Sequence, residues 1–449
     1  MHDDLHALIK DMTFGDTAAW RPLAEKALRG ADFDEALVRH TADGIARGPV
    51  FFSAAADASL DAPARDRYLP WQIRQTFTEA DTGAANAAIL RDLMGGVSEI
   101  GLLIDPNGEW GVPVVSADDL DAALDGVDIS IAPVFLEPSS LADHGMLAKR
   151  LGERRAKTGG LGLPPDHPDI VPLAGDYPDW RIASVDARCV HDSGGTEAQE
   201  IAYAAAGLAE IIAQFIDQGG SAEAALAHCE IAIAVDADIH LSICKLRAAR
   251  LVLGQIAKAY ETDAPVRLRA VTSGRMMTRQ DPWTNLIRLS AAGFAGAVGG
   301  ADIMTVLPAT HALGRPDRRA RRVARNLHIL MQEESHLGLV RDAASGAYLH
   351  ETLTAELATK AWAIFQQIEA DGGFSALSSD AGFVADVGKA REQLAERYSQ
   401  QDPAIIGVSR HAAPDLREMR YEPGEVAPAS DMRFPAMRLE NVAGAGGGA

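Results

Sequence analysis

From Asn86 onward, short apolar runs rich in β-branched residues alternate with longer Ala-rich segments of helical period. The runs Glu99–Ile104, Val127–Phe135, Ile182–Val190, Ile231–Ala237, Val266–Thr272 and Ile303–Val306 predict strands. Between and after them, Gly83–Met94, Ala117–Leu124, Thr196–Gln218, Ser221–Cys229, Leu241–Tyr260, Pro282–Val298, Pro316–Glu333 and Glu351–Glu369 predict helices. This βαβα rhythm implies a parallel sheet with crossover helices. No G-x-G-x-x-G follows the first strand, so at least six such units favour an α/β fold closed as a (β/α)8 TIM barrel over an open doubly wound sheet.

Three regions lack this rhythm. Residues 1–75 read as an arm, with helices at Asp16–Arg29 and Asp34–His40, leading into a barrel over 76–400. Pro138–Asp179 reads as one long βα connection with a helix at Ser140–Arg154, and its Gly159-Gly160-Leu161-Gly162 as a surface loop. Residues 401–449 form a C-terminal extension, partly disordered, ending in a Gly-rich run that cannot bury a core.

Charge narrows the partners. Lys plus Arg total 42 against 63 Asp plus Glu, a formal −21 that repels nucleic-acid backbones and anionic membranes. The start, Met1-His2-Asp3-Asp4, lacks a secretory pattern, and no apolar run nears the ~18 residues of a membrane span, so a cytoplasmic protein is expected. Cys189, Cys229 and Cys244 have neither CxxC spacing nor an even count and read as buried thiols.

Several short motifs have a simpler reading beside the chemical one. His191-Asp192-Ser193-Gly194-Gly195 lies one residue from the nucleophile motif of all-β serine proteases, yet it follows an apolar strand and precedes an Ala-rich helix. A strand-to-helix turn capped by Thr196 or Ser193 is the simpler reading, with His191 and Asp192 as binding candidates at the end of a barrel strand. Asp238-Ile239-His240 matches half of the D-x-H-x-x-G cobalt-ligand signature but has Ile243 where glycine is required, so Asp238 reads as a helix cap. Six arginines between Arg315 and Arg325 suit a salt-bridging helix face, and Gly293, Gly296, Gly299 and Gly300 suit close packing. No metal-ligand set is indicated.

Longer segments, in order and at compatible spacing, resemble the methylmalonyl-CoA mutase family. They are Thr41-Ala42-Asp43-Gly44-Ile45 with Gly48–Phe51, Pro70-Trp71-Gln72-Ile73-Arg74-Gln75, Thr196–Ala205, Lys245–Arg250, Thr272-Ser273-Gly274, Gln332–Leu337, Asp342–Leu349 and Ala361–Glu369. The resemblance covers roughly residues 20–410 and implies a barrel lined by small polar side chains, through which the CoA pantetheine threads. Adenosylcobalamin would come from a separate domain; none is bound by this chain alone. Ala270-Val271-Thr272-Ser273 is compatible with such a lining.

The departures from that pattern concern chemistry. Thr76 stands at the family's catalytic tyrosine and Cys189 at its histidine, Ser242 replaces the glutamate before K-L-R-A-A-R, and nothing after Gln401 resembles a cobalamin domain. A thiol does not replace imidazole as a positioned proton donor at neutral pH. No catalytic residue is therefore assigned. Arg74, Gln75, His191, Arg267, Thr272 and Ser273 are substrate-binding candidates, Arg74 and Arg267 matching CoA-side arginines for which a structural ion-pair role is the favoured reading beside anion contact.

The resemblance implies the small (beta) subunit of a heterodimeric, cobalamin-dependent isomerase of propionate metabolism, silent by itself and paired with a larger cobalamin-binding subunit, with acyl-CoA as a candidate ligand. The alternatives are the substrate-binding barrel of a split cobalamin-dependent mutase, and an unrelated barrel hydrolase using Ser193.

Overall fold

A computed structural model describes residues 17–53, 60, 64–138, 140–377, 381–412, 416–424 and 433–443. Eight strands close into a barrel: β1 Gln72–Phe77, β2 Glu99–Leu102, β3 Val134–Leu136, β4 Gly160–Leu163, β5 Arg181–Asp186, β6 Cys229–Val235, β7 Leu268–Thr272 and β8 Ile303–Thr305. They are ordered as in the sequence, every pairing is parallel, and β8 returns to β1 through Ile303↔Gln72 and Met304↔Ile73. The expected TIM barrel is thus the observed fold. Among the described residues no helix is long and apolar enough to cross a membrane.

The helix Glu197–Asp217 begins with a capping box, Thr196 Oγ1 accepting from Gln199 N while Gln199 Oε1 accepts from Thr196 N. Asp238 caps Ile239–Ala259 through Leu241 N at 3.2 Å. In the glycine-punctuated helix Asn285–Val298, a Cβ on Gly296 would lie 3.2 Å from Met304 Cε and 3.3 Å from Ala270 Cβ, so that face lies directly on β7 and β8. In the arginine-rich helix Arg318–Ile329, Arg321 pairs with Glu79 and Arg325 with Asp92, while Arg318 and Arg322 are exposed.

Two elements differ from the sequence reading. Gly159–Gly162 is not a surface loop: β4 runs through it fully buried, and Ile170–Asp176 adds a second helix, so Pro138–Asp179 holds a complete βα unit. The glycines are there because the barrel interior is crowded. A Cβ on Gly160 would stand 2.5 Å from Phe135 Cδ1, and one on Gly101 2.7 Å from Glu137 Oε1. In addition, β5 ends at Asp186 and a short helix, Arg188–Ser193, takes the stretch expected to extend the strand.

Two flanking segments reach the C-terminal mouth of the barrel. The arm contains Thr17–Ala27, Phe33–Leu37 and a short antiparallel pair, Arg39–His40 with Ala46–Arg47. It docks through fully buried Ile45, through Arg47 paired with Asp238, and through Asp43 Oδ2, which accepts from Ala198 N at 3.2 Å. After the helix Gly382–Ser399, residues 433–443 cross the mouth as a strap, Met437 N donating to Asp192 O at 2.8 Å and Leu439 N to Arg275 O at 3.2 Å. The Gly-rich tail lies outside the described residues.

Gly160→Ala forces its new methyl into the Phe135 ring and lowers stability by about 1–3 kcal/mol. Urea denaturation checks this, and an unchanged midpoint would contradict the tight packing of β4.

Candidate functional site

Along the barrel axis, alternate strand residues point inward. In β1 the inward pair is Arg74 and Thr76. Arg74 Nε donates to Glu99 Oε2 at 2.8 Å, and its two Nη atoms fork onto Glu230 Oε1 and Oε2 at 2.7 and 2.8 Å. Its guanidinium carbon also lies 3.8 Å from the Phe135 ring centroid. From β7, Arg269 forks onto Glu137 at 2.7 and 2.9 Å and donates to Thr305 Oγ1. Thr76 Oγ1 donates to Glu137 Oε1 at 2.7 Å and so joins the two halves.

All five charged side chains are buried, with no residue more than 5% exposed. Burial alone would raise the Glu137 carboxyl, but the charge and hydrogen bonds of Arg269 outweigh it and hold the group down at about 2. The axis is therefore filled by a fixed ionic plug instead of the small polar lining that the resemblance implies. Ala270 does not line it, because that side chain faces the helix Asn285–Val298.

At the C-terminal mouth lies a second buried polar group. His191 Nε2 is 2.8 Å from Ser273 Oγ, and its Nδ1 is 3.5 Å from Lys245 Nζ, which donates to Glu200 Oε2 at 2.6 Å. Glu200 Oε1 in turn accepts from Ala234 N at 2.6 Å, and Arg275 Nη1 donates to His191 O at 2.8 Å. Burial first, then Arg275 and Lys245, push the imidazole well below its ordinary value and keep it neutral. Donor atoms of His191, Glu197 and Asp236 come within 4.8 Å of one another. Organic cations already serve these carboxylates, however: Arg275 Nη2 is 3.7 Å from Asp236 Oδ2, and the charge of Lys245 pulls on Glu197.

The sequence-predicted residues do not form one site. His191 and Ser273 meet at the upper mouth, Arg74 lies in the plug, and Thr272 Oγ1 accepts from Leu307 N at 2.9 Å. Gln75 is buried, with its Oε1 unpartnered among the described residues. Arg267 lies at the opposite, N-terminal end, beside Arg181 in a cleft of about 700 Å³ that stops at Phe135 and Glu99. Ser193 Oγ donates to Val190 O at 2.9 Å, and Cys189 Sγ donates to Asp186 O at 3.2 Å. Sequence reasoning missed Glu99, Glu137, Glu230 and Arg269, whose only signal was charge within or at the ends of otherwise apolar strands.

The described residues do not fit adenosylcobalamin. The strap covers the mouth, Asp238 is committed to its helix cap and Arg47, and His240 Nδ1 faces His350 Nε2 at 3.1 Å.

Two tests follow from these charges. Arg74→Met leaves Glu99 and Glu230 buried without their counter-ion and costs about 3–5 kcal/mol, read by denaturant unfolding. Burial, opposed by Lys245 and reinforced by Asp43 and Asp236, raises the Glu197 carboxyl from 4.5 to about 7. The folded chain therefore holds this proton more tightly than the unfolded chain, and stability falls as pH climbs through that window. Glu197→Gln flattens the decline, and a variant with the wild-type pH profile would contradict the assignment.

The family described as methylmalonyl-CoA mutase matches residues 172–443. The methylmalonyl-CoA mutase small subunit of Streptomyces virginiae is 35% identical over 470 aligned residues, covering 95% of this chain and 75% of that one. The small subunit from Propionibacterium freudenreichii subsp. shermanii is 31% identical, covering 90% and 68%, and the probable small subunit from Mycobacterium bovis is 32% identical, covering 84% and 64%. A barrel of this order carrying the quoted motifs, with a profile match over more than half its length and a relative 35% identical across 95% of this chain, belongs to the methylmalonyl-CoA mutase family.

Proposed function

We propose that this chain is the catalytically silent small subunit of a cytoplasmic, heterodimeric acyl-CoA mutase, whose larger subunit binds adenosylcobalamin and interconverts methylmalonyl-CoA and succinyl-CoA. The observation that carries this reading is the sealed axis. A pantetheine arm cannot thread a barrel whose centre holds Arg74 and Arg269 forked onto Glu230 and Glu137. Opening it would leave desolvated charges without partners, at a cost of several kcal/mol. The side chains at the family's tyrosine and histidine positions are also committed, Thr76 to Glu137 and Cys189 to a backbone carbonyl. The names of the relatives support the small-subunit assignment.

The test is a mutase assay with adenosylcobalamin, run on the chain alone and on the complex co-purified with its larger subunit. The chain alone is expected to give no turnover and, in calorimetry, no heat on titration with methylmalonyl-CoA, while the complex turns over. Acyl-CoA binding by the isolated chain, or turnover on adding only a small cobalamin protein, would overturn the silent role in favour of a split mutase barrel.

A further inference from the structure

Beneath the strap, the C-terminal mouth encloses a cavity of about 680 Å³, within the ordinary range of small-molecule sites. Arg275, Arg279, Arg391 and Arg438 all line it, with Asp192 and His311 meeting beside Gly274. Four guanidinium groups against one carboxylate is a reversal of sign in a chain of formal charge −21.

Arg275 is already engaged, with Nη1 on His191 O and Nη2 3.7 Å from Asp236 Oδ2, whereas Arg279 and Arg391 keep unused donors. Among the described residues, the only hydrogen bond of the Arg279 side chain runs from Nε to Ala312 O, so both of its Nη groups remain available, while its backbone N donates to Glu440 Oε2 at 2.7 Å. Arg391 spends Nη1 on Ser193 O and Pro435 O, leaving Nη2 and Nε. Neither guanidinium is paired with a carboxylate among the described residues. A guanidinium offers five donors in a planar fork suited to phosphate, so these groups present an array of unused, charge-assisted donors.

Asp192 adds the complementary half. It is 8% exposed, and its Oδ1 is buried without a partner among the described residues. An orphaned buried acceptor costs about 1–3 kcal/mol until something donates to it. A bare anion cannot donate, whereas a hydroxyl can. Gly274 keeps the floor open, since a Cβ there would lie 3.2 Å from His311 Nε2 and 3.8 Å from Asp192 Oδ2.

We propose that this cavity binds a phosphate ester with a hydroxylated body, its phosphate on Arg279 and Arg391 and a hydroxyl on Asp192. The site is separate from the ionic plug and does not depend on the silent-subunit reading. A nucleotide and a sugar phosphate share this chemistry.

Calorimetric titration of the full chain with ATP, ribose 5-phosphate and pyrophosphate tests the proposal. At least one of the two esters is expected to bind with a Kd below ~1 mM, and which one does so identifies the source. Arg279→Gln should weaken it at least tenfold, as should Arg391→Gln, which gives a second removal if the first variant misfolds. The double change Arg318→Gln with Arg322→Gln, on the exposed outer helix, should leave the affinity unchanged. Asp192→Asn should weaken the ester more than it weakens pyrophosphate. The proposal is overturned if neither ester binds, if pyrophosphate alone binds, or if the outer-helix double change weakens binding as much as Arg279→Gln does.

Discussion

The molecule is organised around two arginines that cannot leave the barrel axis. Arg74 and Arg269 lie in a low-dielectric interior where an unpaired charge is intolerable, so each must meet a carboxylate in a planar, two-bond fork. That requirement fixes more than the pairs themselves. It sets the height of β1 against β2, where Arg74 is in register with Glu99, and it needs bare backbone at Gly101 and Gly160 so that Glu137 and Phe135 can reach inward. Buried ion pairs seldom add net stability over well-packed apolar side chains, so their effect here is geometric: one register and one filled axis.

A filled axis also settles what the strands have to offer. In a catalytic barrel, inward-facing side chains at the ends of strands are held ready for substrate. Here Thr76 completes the Arg269–Glu137 pair, and the His191 imidazole lies between Ser273 and the Lys245–Glu200 pair, kept neutral by burial. The arm and the strap add to this closure from outside, the first through Asp43 at the start of the helix Glu197–Asp217, the second through backbone bonds to Asp192 and Arg275.

Much of the architecture was legible in the sequence because apolar runs and helical periods are local. The strands β2, β3, β5, β6, β7 and β8 all overlap apolar runs, and the caps at Thr196 and Asp238 follow directly from residue type. The strands β1 and β4 were not found by pattern, for opposite reasons. The first, Gln72–Phe77, carries its polar residues toward the axis, so it does not look like a buried strand, and the second reads as a loop because crowding forces glycine into it. Of the ionic plug only the ion-pair reading of Arg74 was available, and none of the partners. Arg74 and Glu230 are 156 positions apart and Arg269 and Glu137 132 apart, and nothing local in either member announces the other. The motifs did locate Thr76 and Cys189, although what each side chain touches required three dimensions.

The position of the charges also bears on how the chain is made. Closure needs β8 to reach β1, so the barrel cannot close before residue 305 has been synthesised. In most barrels the concave face of that unfinished sheet would be oily and liable to self-association. In this chain the corresponding face carries Arg74, Glu99, Glu137 and Glu230, which are buried once the barrel is closed. An unfinished sheet bearing these side chains would present charge to water where an apolar barrel would present grease.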